Sequence, residues 1–281
     1  MYNYHTHTHY CDGSAEPELY VLNAVEQKMK VLGFSAHAPV SFDNAWSLKT
    51  GNKINYCKRI QELKEQYADK IIILNGLEID YIPGLTTPFA EFIKNYSLDF
   101  TIGSVHLVKS LHSNDLWFID GAPKNYETGL SKIFNDDIKT AVGAYYKQIQ
   151  EMVVTQHPVI IGHVDKIKMN NKKRFFTEDE RWYIQLVDDT LKVIYQHNSI
   201  VELNTRGVYS GKSETFFPSA FILEKCHKMK IPVMINSDAH KPEQLTLKYS
   251  EAIDLLKDIG FKKLWIIDQE GKRAIDIDDY F

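Results

Sequence analysis

Short runs of β-branched and apolar residues alternate along this chain with longer segments of helical period, and nearly every run stops at a side chain able to ligate a metal ion. These side chains are His5 and His7 in YNYHTHTHYCDG, His37 in GFSAHAP, Glu78 in IIILNGLEID, His106 in FTIGSVH, His163 in VIIGHVD, and Asp238 with His240 in VMINSDAH. The strand-like runs fall at 3–7, 31–36, 71–79, 100–106, 159–164, 200–204 and 233–237, with a further run, KLWII, at 263–267. Between them, segments 17–30, 55–69, 136–156, 179–197, 218–230 and 249–259 carry apolar residues three and four apart. Thr177 ahead of EDE and Pro218 read as helix-start residues.

Strand and helix in alternation imply a parallel sheet with right-handed crossovers. Seven or eight such units without a break in composition predict a closed or nearly closed (β/α) barrel, and in barrels of this kind the active site gathers at the C-terminal ends of the strands. That is where the ligating side chains fall. Two long stretches, 39–55 and 107–135, read as irregular, follow strand ends, and are expected to overhang the same face as lids or binding loops.

With 281 residues, 44% of them hydrophobic and 25% charged, the chain has ample material for one large core, and it is expected to form a single domain over 1–281. No stretch approaches the roughly 20 apolar residues of a membrane span. The start MYNYHTHTH lacks the basic and apolar regions of a signal peptide, and three scattered cysteines imply no disulfide framework, so a cytoplasmic protein is expected. The net charge of −4, from 33 basic and 37 acidic residues, offers no basic surplus for a nucleic acid. The one dense basic stretch, Lys168 to Arg174, reads as a solvated loop, and a small phosphorylated substrate stays compatible with the balance.

His5 and His7 stand two apart on a strand, so their side chains leave the same face and can grip one ion. Asp238 and His240 repeat that spacing, and Glu202, Asn204 and Arg206 place three polar groups on one face of another strand. A barrel interior tolerates such groups only when something compensates them. Metal ions do, and imidazole with carboxylate suits Zn, Mn or Fe. His112, His157, His197 and His227 lie in loops or helical segments and read as ordinary polar residues. His9 shares the parity of His5 and His7 but lies beyond the strand end, which leaves its place at the site open.

HTHTHYCDG resembles the opening HxHxxxxDG motif of the polymerase-and-histidinol-phosphatase (PHP) superfamily, and AHAP, GLEID, GSVH, GHVD and SDAH follow in that superfamily's order across the whole chain. VELNTRGVYSGKSETFFPS is similar to a stretch of the monofunctional histidinol-phosphate phosphatase branch. The resemblance implies a distorted (β/α)7 TIM-like barrel holding two or three divalent transition metals. His5, His7, Glu78 and Asp238 would hold one ion; Glu78 would bridge to a second, shared with His106 and His163. His37, His240 and Asp12 would hold the third, with Gly13 standing where related phosphatases often carry a histidine.

The activity so implied is hydrolysis of L-histidinol phosphate, in histidine biosynthesis, by a metal-bridging hydroxide. Arg206 would grip the phosphate with its bidentate fork, and Asp238 or His240 would protonate the leaving alcohol. The alternatives are a nucleotide-directed phosphoesterase or exonuclease of the same superfamily, and a non-catalytic metal- or phosphate-binding protein. Asp80 is a candidate support for the ligands or a strand-end cap, and Asp165 is a candidate to orient His163 or to cap a helix. Trp117, Asp120 and Tyr126 are candidates to close over a cationic amino-imidazole, although each taken alone reads first as part of a structural loop. Cys11 reads as a passive small residue, and Asn204 as an organiser of its strand end.

Overall fold

The computed structural model describes residues 1–281. Seven parallel strands form the central sheet: β1 (Tyr2–Asn3), β2 (Val31–His37), β3 (Ile72–Asp80), β4 (Phe100–Ser104), β7 (Ile160–Ile161), β8 (Ile200–Asn204) and β9 (Val233–Asn236), paired in that order. The connecting helices are α1 (Pro17–Glu26), α2 (Lys53–Gln66), α3 (Phe89–Tyr96), α5 (Ile138–Gln156), α6 (Arg181–His197) and α8 (Ala220–Met229). Helix α9 (Tyr249–Ile259) follows β9. The result is a nearly closed α/β barrel of seven strands. Its strands are buried on both faces, which explains why they read as continuous apolar runs rather than as alternating ones.

The seam between β1 and β9 closes in an unusual way. Just past both strands, Thr6 and Ala239 form an isolated parallel bridge, in which the His7 N–H donates to the Ala239 carbonyl at 2.8 Å and the Ala239 N–H to the His5 carbonyl at 3.0 Å. Two asparagine side chains replace ladder bonds further down. Asn236 Oδ1 accepts from the Tyr4 N–H at 2.8 Å, and Asn3 Oδ1 from the Ser237 N–H at 3.0 Å. Backbone donors on two strands too short to pair fully are thereby satisfied. The closure holds the segments bearing His5, His7 and Asp238 side by side.

Several sequence expectations need correction. The run at 263–267 is a strand, β10 (Lys263–Asp268), but it pairs antiparallel with β11 (Gly271–Asp276) outside the barrel sheet. It packs on the core through Tyr4, whose hydroxyl bonds both the N–H and the carbonyl of Ile267 at 2.8 Å. The stretch 107–135 is largely ordered as a hairpin, β5 (Leu107–Lys109) with β6 (Leu116–Phe118), followed by α4 (Pro123–Phe134). Helix α6 starts at Arg181, so Thr177 belongs to a turn in which Glu180 Oε1 accepts its N–H. Helix α8 starts at Ala220, past Pro218. Lys168 to Asn171 are buried rather than solvated, with Lys168 Nζ 2.7 Å from the buried Asp165 carboxylate. No helix is long and apolar enough to cross a membrane.

Candidate metal centre

At the C-terminal mouth of the barrel, ligating side chains from five other strand ends gather around Glu78 of β3, which is 1% exposed. β3 carries it to the centre of the mouth, in register with His37 of β2 and Ile102 of β4. Its two oxygens face different imidazoles. Oε2 lies 3.1 Å from His5 Nε2, 3.4 Å from His7 Nε2 and 3.2 Å from His37 Nδ1. Oε1 lies 3.1 Å from His163 Nε2 and 3.7 Å from His106 Nε2, and accepts the Ser104 hydroxyl at 2.6 Å. One carboxylate thus joins two sets of nitrogen donors.

Asp238 closes the set on the far side. Its Oδ1 is 3.4 Å from His7 Nε2, 3.4 Å from His240 Nδ1 and 3.0 Å from Arg206 Nη1. The residue holds φ at +52°, a left-handed conformation that aspartate tolerates better than most side chains do and that is typical of functional turns. Asp12, in the loop after His7, places Oδ2 3.1 Å from His240 Nε2 and 3.9 Å from His37 Nε2. Gly13 next to it packs against the backbone of His7 and Thr8, where a Cβ would collide. No side chain can stand there in this loop, which leaves Asp12 as its ligand candidate.

The donor chemistry fits metal ions. His5 Nε2, His7 Nε2, His37 Nδ1, His163 Nδ1 and Asp80 Oδ2 are buried without a hydrogen-bond partner, and most of them face the carboxylates just described. Buried polar atoms left unpaired are costly, and donors held about 3 to 4 Å apart are spaced as ligands of a common ion with bonds of about 2.0–2.2 Å. Four overlapping groups arise: His5–His7–Asp238, Glu78–His106–His163, His7–Asp12–His37–His240 and His37–Asp80–His106. Burial opposes charge on Glu78, but His5, His37 and His106 outweigh it and hold the carboxyl well below the usual carboxylate range. Burial likewise opposes charge on Asp238, and Arg206 and His5 hold it down. Both stay anionic, as a cation requires.

All the sequence candidates for ligation, His5, His7, Asp12, His37, Glu78, His106, His163, Asp238 and His240, therefore meet at one mouth. Three details refine or correct the expectation. His7 also approaches the outer group, with Nδ1 3.5 Å from Asp12 Oδ1. Asp80 backs His106, accepting both its Nδ1 at 2.8 Å and its backbone N–H at 3.0 Å. Asp165 does not orient His163 or cap a helix with its side chain; it is held by Lys168 and the Ser219 N–H. His9 is exposed, 3.5 Å from Glu16 and away from the cluster. Cys11 is passive, its thiol pushed up to about 12 by burial.

The mouth opens into a cavity of about 270 Å³ lined by six of these ligands, His5, His7 and His163 lying beneath it, together with Trp46, Phe118, Asp120, Lys166, Arg206 and Lys212. A larger groove of about 520 Å³ beside Lys109, Lys147 and Glu151 is more open and holds none of the converging ligands. Arg206 starts the short helix α7 (Arg206–Tyr209), and its guanidinium reaches Asp238 and lies against His240. Of the loop candidates, only Asp120 enters the cavity, 3.1 Å from Lys166 Nζ. Trp117 and Tyr126 are buried elsewhere: the indole N–H donates to the Tyr126 carbonyl at 2.8 Å, and the ring fills the space that Gly129 leaves on α4. Trp46, Phe118, Lys166 and Lys212 were not singled out from the sequence.

Comparison with known proteins agrees with this architecture. The PHP domain model matches residues 3–206, well over half of the chain, and the chain belongs to that family. It is 24% identical over 266 residues to the histidinol-phosphatase of Bacillus subtilis, covering 89% of this chain and 97% of that one. The fold is similar to that of HisK from Listeria monocytogenes, with a TM-score of 0.76 and 20% identity over 89% of this chain and 99% of the other. It is also similar to histidinol phosphate phosphatase of Lactococcus lactis, solved with zinc, L-histidinol and phosphate, with a TM-score of 0.69 and 20% identity. That match covers 97% of this chain and 98% of the other.

Proposed function

We propose that this protein is a metal-dependent phosphomonoesterase that hydrolyses L-histidinol phosphate to L-histidinol and phosphate, acting in the cytoplasm as a single catalytic unit over residues 1–281. The observation that carries the reading is the Glu78 carboxylate shared between two sets of buried imidazole nitrogens, those on the Oε2 side without a hydrogen-bond partner, with Arg206 in the same cavity. The named activity of the Bacillus subtilis relative and the ligands of the Lactococcus lactis protein support the choice of substrate.

In this reading, His5, His7, Glu78 and Asp238 hold one Zn, Mn or Fe ion, and Glu78, His106 and His163 hold a second. His37, Asp12 and His240 hold a third. Such ions, when bound, lower the pKa of water toward neutrality and offset the charge of phosphoryl oxygens. Arg206 grips the phosphate and fixes its orientation from the Asp238 side of the cavity. Asp238 and His240 are the candidates to hand a proton to the departing alcohol oxygen, and the Arg206 guanidinium and His5 hold the Asp238 carboxyl low, which weighs against it. Trp46 and Phe118, 6.5 Å apart between ring centroids, offer apolar faces to a flat imidazole, and Asp120 offers a carboxylate to a cationic one.

The test is phosphate release from L-histidinol phosphate beside other phosphomonoesters and an oligonucleotide. Activity should vanish after chelation and return with Mn, Zn or Fe. Metal-loaded protein that degrades the oligonucleotide and spares histidinol phosphate would move the assignment to a nucleotide-directed phosphoesterase.

A further inference from the structure

Glu202 of β8 is fully buried and belongs to none of the four donor groups, yet it contacts two of the ligand residues directly. Its Oε1 lies 2.6 Å from His5 Nδ1, the nitrogen opposite the one that faces Glu78. The same oxygen accepts Asn236 Nδ2 at 3.0 Å. Oε2 accepts the His163 backbone N–H at 2.9 Å and Asn204 Nδ2 at 3.1 Å, and that amide also reaches Asp238 Oδ2 at 3.2 Å. Two donors thus address each oxygen, so the carboxylate has no direction left for an ion.

We propose that Glu202 is a positioning residue for the metal centre: it fixes His5 as an Nε2 donor and locks that imidazole to the strand end that carries His163. A carboxylate 2.6 Å from Nδ1 requires the proton there, which leaves Nε2 as the lone-pair nitrogen aimed at Glu78 and Asp238. Carboxylates behind ligating imidazoles orient the ring and raise its basicity, and their loss typically lowers metal affinity about 10–100-fold. Asp80 serves His106 in the same way from β3. Glu202 differs in spanning both inner donor groups, through the side chain of His5 and the backbone of His163.

The inference rests on the metal reading of the site and not on the identity of the substrate. Its test is titration of chelator-stripped protein with Co(II), followed by visible absorption, alongside thermal unfolding of the metal-free form. In Glu202→Gln, either amide orientation sets an NH2 against two donors, so the arrangement breaks without loss of volume. The expected result is Co(II) affinity lowered about 10–100-fold, an altered spectrum, and activity largely restored at saturating metal. If Glu202→Gln fails to fold, Glu202→Asp, which keeps the charge but draws it back from His5, is titrated instead, with at least a tenfold loss expected.

Wild-type affinity in a folded variant overturns the proposal. So does failure of both variants to fold, which would make Glu202 a requirement of the barrel itself. Wild-type protein that binds no Co(II) would instead defeat the metal reading beneath it.

Discussion

The inner and outer halves of the ligand cluster are built on different principles. On the inner side, His5, Glu78 and His163 are buried at strand ends, and further groups hold them: Glu202 behind His5 and the His163 backbone, and Ser104 on Glu78. On the outer side, Asp12 sits in a loop with its side chain 31% exposed, and His240 lies beyond the end of β9 on the segment that bends away at Asp238. The inner ligands are preorganised by the barrel, so the cost of ordering them falls on folding rather than on binding an ion. The outer ligands depend on the path of the His9–Ser14 turn, which is tied down through Ser14 N–H to the His240 carbonyl and through Gly13 against His7.

The sharpest way to probe that difference is at Glu78, where both inner donor groups meet. Glu78→Gln removes one anionic oxygen and the charge. The expected fall in kcat/KM is about a thousandfold or more, with metal content reduced by elemental analysis and circular dichroism unchanged. A loss under tenfold would mean that the carboxylate is not shared.

Arg206 links the halves, touching Asp238 on one side and His240 on the other. Arg206→Ala should lower kcat/KM for histidinol phosphate by more than tenfold, since a bidentate charge-assisted contact is lost. Metal content should stay close to that of wild type. Near-normal kinetics would remove Arg206 from phosphate recognition.

At the outer ligand the effect should shrink. Asp12→Asn is expected to weaken the outermost ion on the order of tenfold and to be overcome by raising metal concentration in the assay. If it proves as damaging as Glu78→Gln at all metal concentrations, the two halves are one unit and the distinction fails.

How much of this was legible in the sequence follows the same division. Strand ends were readable because each carries a group that an apolar interior rejects, and β3, from Ile72 to Asp80, is long enough to show both the run and its polar stop. The barrel was readable from rhythm alone, although β1 and β7 are only two residues long. The supports were harder to see. Glu202 and His5 are 197 residues apart, and Lys166 meets Asp120 across another long separation, so no local spacing announces either pair. The hairpin β5–β6 has strands of three residues, too short for alternation to register, and thus the sequence left Trp117 open between a structural place and a substrate contact when it is core.

The smallest effect is expected at a residue that the motif makes look equivalent to its neighbours. His5, His7 and His9 share one parity in HTHTH, but parity places side chains on a common face only while the chain stays extended. Here the chain enters a turn at His9 and Tyr10, and the His9 ring lies tilted by 39° against Tyr10 with centroids 4.2 Å apart. Its Nδ1 lies 3.5 Å from a Glu16 carboxylate that is itself 65% exposed, a contact of the kind worth about 0–1 kcal/mol at most. His9→Ala should therefore keep kcat/KM within about twofold and Tm within about 2 °C of wild type, in contrast to His5→Ala or His7→Ala, which should strip an ion. A tenfold loss at His9 would show that the turn rearranges to bring a third histidine onto the outer ion, and the outer half would then be built by induced fit rather than by the fold.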